Sequence, residues 1–187
     1  MDYTEKTVER KEIFNGRVIH VVVDTVELPD GSLASREMAF HPGGVGVIAV
    51  TEDRKVYMVR QFRKPYEAEI LEVPAGKLEP GEDPLECGIR ELEEETGLRA
   101  EKMTYLGASY VSPGFCSETI HLYLATGLSE VGQHLDDGEF LDVLTYDLDE
   151  LYQMALNNEI MDAKTLIAIL KAKGILGEQS SFATTAL

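Results

Sequence analysis

The chain reads as an α/β protein, and two observations carry that prediction. Short apolar runs bounded by turn residues recur as strands do, and helical patterns interrupt and follow them at residues 84–96, 148–157 and 162–173. The 187 residues suit one domain with a sizeable core plus a small appended element. With 44% hydrophobic and 27% charged residues, the chain is not disordered overall.

In chain order, residues 17–28 read as a strand, Pro29-Asp30-Gly31 as a turn and residues 35–40 as the hairpin partner. His41-Pro42-Gly43-Gly44 marks a junction. It gives an expected division into an N-terminal β element (1–42), a main domain (43–174) and a mobile tail (175–187). Residues 45–50 and 56–60 predict a second hairpin around Glu52-Asp53-Arg54-Lys55, and 70–73 a short strand. Strands follow at 105–111, at 119–125, where Ile120, Leu122 and Leu124 alternate, and at 140–146. The helix at 162–173 carries Leu166, Ile167, Ile169 and Leu170 on its apolar side. No internal repeat is visible.

The most informative stretch is GKLEPGEDPLECGIRELEEETGL, residues 76–98. Asp83 is a good N-cap, Pro84 fits the first helical position, Glu86 completes a capping box, and Gly97 suits a left-handed stop. The predicted helix therefore runs over 84–96. Leu85, Ile89 and Leu92 at i, i+4 and i+7 predict its buried face. Glu91, Glu94 and Glu95 share another face, and Cys87 is expected to lie off it. Like charges at that spacing cost about 0.2–0.5 kcal/mol per pair, and carboxylates near a helix C-terminus about 0.3–1 kcal/mol each. Arg90 can pair with Glu86 and Glu94 but cannot neutralise the rest. Spacing alone leaves two readings open, a solvated acidic face and a site for a hard divalent cation. Gly88 inside the helix costs about 0.5–1 kcal/mol relative to Ala, which close packing on a neighbouring strand would explain.

The formal charge of −17, from 17 basic and 34 acidic residues, argues against nonspecific binding to nucleic acid or anionic membranes. No apolar run reaches membrane-spanning length, and MDYTEKTVERKE lacks a signal-peptide core. Cys87 and Cys116 form neither a disulfide framework nor a zinc pattern, so a cytoplasmic location with reduced thiols is expected.

Gly76, Glu82, Arg90, Glu91, Leu92, Glu94, Glu95, Gly97 and Leu98 match, without departure, the pattern Gly-x5-Glu-x7-Arg-Glu-U-x-Glu-Glu-x-Gly-U, with U a bulky aliphatic residue. In this the chain resembles the Nudix hydrolases, which cleave nucleoside diphosphates linked to another moiety using divalent metals. The resemblance implies a Nudix-type α/β/α sandwich with a mixed sheet, preceded by an N-terminal antiparallel β-hairpin element. VRQFRKP (59–65), EVPAGKLE (72–79), Pro113 in SPGF fifteen residues beyond Leu98, and that hairpin resemble the ADP-ribose pyrophosphatase branch. That branch implies hydrolysis of ADP-ribose to AMP and ribose 5-phosphate by a homodimer. Another nucleoside diphosphate sugar or a dinucleotide is the alternative substrate, and a noncatalytic ADP-ribose sensor the alternative class.

By resemblance, Glu91 and Glu95 ligate two or three Mg²⁺ or Mn²⁺ ions with the backbone carbonyl of Ala75, and Glu94 joins them as a ligand or catalytic carboxylate. Glu82 and Arg90 brace the loop and helix, and Gly76 permits close backbone approach. The branch places a general base on a distant acidic loop, here residues 134–140. Glu139 is the first candidate, as base or metal ligand, and Asp137 the second; a flexible acidic turn is the plain alternative. Arg63 and Arg36 are candidates for gripping phosphates or the terminal ribose, although Arg36 could equally form a surface salt bridge. Glu72 could contact ribose or adenine, or brace its neighbours. Pro113 and Gly114 mark a substrate-side turn, yet Pro-Gly is also an ordinary turn dipeptide.

Overall fold

The computed structural model describes residues 2–183, with the side chains of the last helix described through residue 177. The described chain forms two compact units, one of residues 2–43 with Tyr110–Thr119, the other of Gly44–Ser109 with residues 120–183.

The first unit is a three-stranded antiparallel sheet in the order β1 (Lys6–Asn15), β2 (His20–Glu27), β3 (Leu33–Phe40). The sequence reading found β2 and β3 but not β1. Every position of KTVERKEIFN is exposed, so no buried stripe exists for periodicity to reveal. Asp24 is buried, and Arg10 meets it with two hydrogen bonds of 2.7 Å. Residues 112–117 attach to β3 through the backbone: Ala39 N–H donates to Phe115 O at 2.7 Å, and Ser117 N–H to Ala39 O at 3.0 Å. Those bonds explain why this segment, which the sequence put in the main domain, groups with the N-terminal strands.

In the second unit the sheet runs β10 (Leu141–Asp147), β5 (Lys55–Arg63), β4 (Gly44–Val50), β9 (Thr119–Glu130), β8 (Leu98–Tyr110). Short strands β6 (Ala68–Glu72) and β7 (Ala75–Lys77) pair with β5 and β4. The β4–β9 pairing is parallel and the other recorded pairings are antiparallel, so the sheet is mixed. Strand β4, GVGVIAV, is buried at every position, as expected of a strand covered on both faces. Its Val45, Val47 and Ala49 pack with Cys87 and Leu92 of helix α1 (Pro84–Thr96). Its Ile48 and Val50 pack with Leu148 and Leu151 of α2 (Leu148–Leu156) and Ala168 and Ile169 of α3 (Ala163–Ala183). Alternate side chains of one strand thus hold the two helical layers of an α/β/α sandwich. Helix α3 continues through residues 175–183, which the sequence reading gave to a tail; the four residues after Ala183 lie outside the described residues.

Candidate active site

Helix α1 begins and ends where its cap residues direct. The Asp83 side chain accepts from Leu85 N–H at 2.8 Å, Pro84 opens the helix, and Gly97 closes it at φ 69° with its N–H on Glu93 O. The expected buried face was misjudged. Leu85 and Ile89 are more than a third exposed, while Cys87, Gly88, Leu92 and Glu95 are buried. The cause is Gly88. A Cβ there would stand 3.0 Å from Val45 Cγ1 and 3.3 Å from Val47 Cγ2, so the helix lies on β4 by its bare backbone. That close approach turns the face carrying Glu91 and Glu95 inward.

Glu95 is 1% exposed, and its Oε2 accepts the backbone N–H of Ala75 at 2.8 Å. Burial pushes its carboxyl up to about 8; the Ala75 N–H opposes this, and the charges of Glu139 and Glu91 add to it. Burial also raises Glu91, against the pull of Arg90, whose Nη1 lies 2.8 Å from Glu91 Oε1. A Cβ on Gly76 would fall 1.7 Å from that same oxygen, so only glycine leaves room for it. Arg90 further reaches Glu94 Oε2 at 2.9 Å and Glu82 Oε1 at 3.0 Å. Its partner is therefore Glu82 rather than the expected Glu86, because the loop before the helix folds back over the Arg90 side. Cys87 lies beside these groups, contrary to expectation: its Sγ accepts from Arg90 Nη2 at 3.4 Å. Burial, then the charges of Glu82 and Glu91, push its thiol up to about 12.

From the acidic loop, Glu139 is the group that reaches this cluster. Its charge raises both Glu91 and Glu95, and Gln61 Nε2 on β5 donates to its Oε1 at 3.4 Å. Asp137 is exposed in the preceding turn. Gln61 was not foreseen; an uncharged residue inside QFR gives no signal. The same connection caps the end of α1, with His134 N–H on Glu94 O at 3.0 Å and Gln133 Nε2 on Glu95 O at 2.6 Å.

Glu72 is 2% exposed, and Arg63 grips both its oxygens at 2.7 and 2.8 Å. Lys164 at the start of α3, unnoticed in the sequence, pairs with Glu72 Oε2 as well. Burial alone would raise Glu72, but Arg63 and Lys164 outweigh it and hold the carboxylate below its usual range. Arg63 in turn lies within electrostatic reach of Glu95. Arg36, Pro113 and Gly114 belong to the first unit. There Arg36 pairs with Glu5 at 2.5 and 2.8 Å, and Pro113 and Gly114 lie exposed in the turn where Ser112 O accepts from Phe115 and Cys116.

Among the described residues, no three carboxylate, imidazole or thiol groups converge as a ready-made cation cage. The donor chemistry nevertheless fits a hard divalent cation. Glu91 and Glu95 offer buried oxygens raised by burial and by neighbouring like charges, Glu94 and Glu139 on Glu91, Glu139 and Glu91 on Glu95, beside the Gly76 backbone that a side chain would block. One oxygen of each is held meanwhile by a protein donor, Arg90 at Glu91 Oε1 and Ala75 N–H at Glu95 Oε2.

Comparison with known proteins bears on this arrangement. The model of the NUDIX domain matches residues 40–168. The chain belongs to the Nudix family. A second model, the nucleoside diphosphate sugar hydrolase N-terminal domain, matches residues 5–38. The ADP-ribose pyrophosphatase of Bacillus subtilis (strain 168) is 48% identical over 167 residues, covering 88% of this chain and 90% of that one. The methanol dehydrogenase activator of Bacillus methanolicus is 50% identical over 169 residues, covering 89% and 91%. A crystal structure of an ADP compounds hydrolase superposes with a TM-score of 0.83 at 21% identity, over 94% of this chain and 95% of that one, which shows the Nudix fold. Among the described residues, no helix is long and apolar enough to cross a membrane.

Proposed function

We propose that this Nudix protein hydrolyses the pyrophosphate bond of ADP-ribose, giving AMP and ribose 5-phosphate, with Mg²⁺ or Mn²⁺ as cofactor. The observation that carries this reading is the inward-facing pair Glu91 and Glu95, pressed against the Ala75–Gly76 backbone with Glu139 nearby. Such a concentration of carboxylate serves no apolar core and repels an anionic substrate until cations offset it. The relatives named ADP-ribose pyrophosphatase, at 48% and 32% identity, support the substrate.

Glu91 and Glu95 would hold the ions, with the Ala75 carbonyl and Glu94. A bound divalent cation supplies charge neutralisation of the pyrophosphate oxygens and lowers the pKa of a coordinated water. Glu139 would take the proton of the attacking water on its carboxylate, with Gln61 orienting it and Asp137 as the second candidate. Arg63, held side-on by Glu72, would present its remaining Nη1 to phosphate oxygens. Because Glu72 is buried with both oxygens engaged, bracing Arg63 is the role its surroundings support. By the family resemblance Arg36, Pro113 and Gly114 are further proposed substrate contacts, and a homodimer the proposed assembly. Two unpaired cysteines support a cytoplasmic, reduced setting.

A broader substrate range is the second reading. The N-terminal match to nucleoside diphosphate sugar hydrolases and a 28% identical GDP-mannose pyrophosphatase of Klebsiella pneumoniae favour it. One experiment tests both. Incubation with Mg²⁺ and a panel of nucleoside diphosphate compounds, ranked by kcat/KM, should place ADP-ribose first with AMP as product. Binding of ADP-ribose without AMP release would instead support a sensor.

A further inference from the structure

Lys164 lies on α3, in the helical layer opposite α1, yet its charge pairs with Glu72, the carboxylate that holds Arg63. Its side chain is 14% exposed and pairs with Glu72 Oε2 and, at 3.0 Å, with Asp162 Oδ2. The lysine stem passes over Gly46 of β4, where a Cβ would stand in ordinary contact with Lys164 Cδ at 3.7 Å. Next to it, the Thr165 hydroxyl donates to Asp162 Oδ2 at 2.6 Å and accepts the backbone N–H of Val73 at 2.8 Å. Pro74 O accepts from Val47 N–H at 2.9 Å, and Ala75 N–H holds Glu95. Residues 72–75 are thus fixed at every step, the first two by the N-terminal turn of α3.

We propose that Lys164 is a positioning residue for substrate binding, acting by charge through Glu72. This deepens the proposed function and rests on its assignment of Arg63 to the substrate phosphates. A lone Arg63–Glu72 pair would be neutral, and the carboxylate would cancel the attraction of Arg63 for a diphosphate. Lys164, shared between Glu72 and Asp162, offsets part of the Glu72 charge while Arg63 stays oriented by two hydrogen bonds, and its removal leaves the group around Arg63 one charge more negative. In a chain of net charge −17, such a retained local cation matters to an anionic ligand.

The test is a charge-restoration series read by calorimetric titration of ADP in the presence of Mg²⁺, with melting temperature measured alongside. Lys164→Met should weaken ADP binding by about tenfold. The double variant Glu72→Gln with Lys164→Met, which restores the local charge, should bind ADP severalfold more tightly than Lys164→Met alone. Lys164→Arg should bind like the parent. Unchanged affinity in Lys164→Met, or a double variant no tighter than the single, overturns the proposal. If Lys164→Met does not fold, Lys164→Gln takes its place: about tenfold weaker ADP binding supports the charge role, and parent-like affinity refutes it. A parent that binds ADP but releases no AMP from ADP-ribose refutes the proposed reaction and leaves this result standing.

Discussion

The backbone N–H of Ala75 donates to Oε2 of Glu95 at 2.8 Å, tying the start of β7 to the last turn of α1. The bond gives the most buried carboxylate of the site one fixed donor. It also anchors Ala75, the residue whose carbonyl is proposed to face the cation. The pH behaviour of Glu95 follows from its burial, which this contact only partly opposes.

Burial raises Glu95 from its ordinary 4.5 to about 8 in the metal-free protein. Between those values the folded state keeps a proton that the unfolded chain has released, so stability falls as pH rises through the window and levels off above it. Melting temperature in EDTA should therefore drop between about pH 4.5 and about pH 8. Glu95→Gln, with no proton to lose, should flatten that decline. An identical slope in the variant would place the titrating group elsewhere.

Turnover should respond in the opposite sense. Glu95→Gln keeps an acceptor for Ala75 N–H but loses the charge, so its fold should survive while kcat/KM falls by about 10² or more. Near-normal activity would remove Glu95 from the ligand set.

Gly76→Ala asks whether the room beside Glu91 matters. The new methyl would collide with the Glu91 carboxylate, which sits at the end of a flexible side chain and can swing away. Stability should therefore change modestly, while activity drops by about tenfold or more because a proposed ligand is displaced. Equal losses of melting temperature and activity would indicate general disruption instead.

Helix α1 shows what the sequence could and could not reveal. Its ends were legible because Asp83, Pro84 and Gly97 act locally through their own backbone preferences. Its orientation was not, since Leu85, Ile89 and Leu92 made the obvious stripe while a glycine decided which side touches the sheet. The metal-ligand candidates Glu91 and Glu95 were visible through their fixed spacing, whereas Lys164 and Gln61 act across 92 and 78 residues of sequence separation. Such distant partners leave no trace in a local pattern. Strand β1 escaped notice for a different reason, having no buried position at all.

Gly88→Ala weighs two opposed effects. Alanine in a helix interior gains about 1 kcal/mol over glycine. Its methyl would press on Val45 and Val47, two branched side chains of a fully buried strand that has no free space to yield. Overpacking costs about 1–3 kcal/mol, so the net effect should be destabilising by about 1 kcal/mol, a melting-temperature loss of about 2–4 °C. A stabilised variant would show that helix and strand can separate without cost.

Glu139 offers the sharpest test of the chemistry. Its charge reaches both Glu91 and Glu95, yet it stands on a connection between β9 and β10 with Gly138 at φ 87° beside it, so backbone freedom exists there to adjust its approach. If it accepts the proton of the attacking water, Glu139→Gln should lower kcat by about 10²–10⁴ while KM shifts far less. Gln61→Ala should give a smaller fall of the same kind, since it removes only the group that orients the carboxylate. An unchanged kcat in Glu139→Gln together with a large loss in Asp137→Asn would move the base to the exposed turn and require the loop to close before reaction.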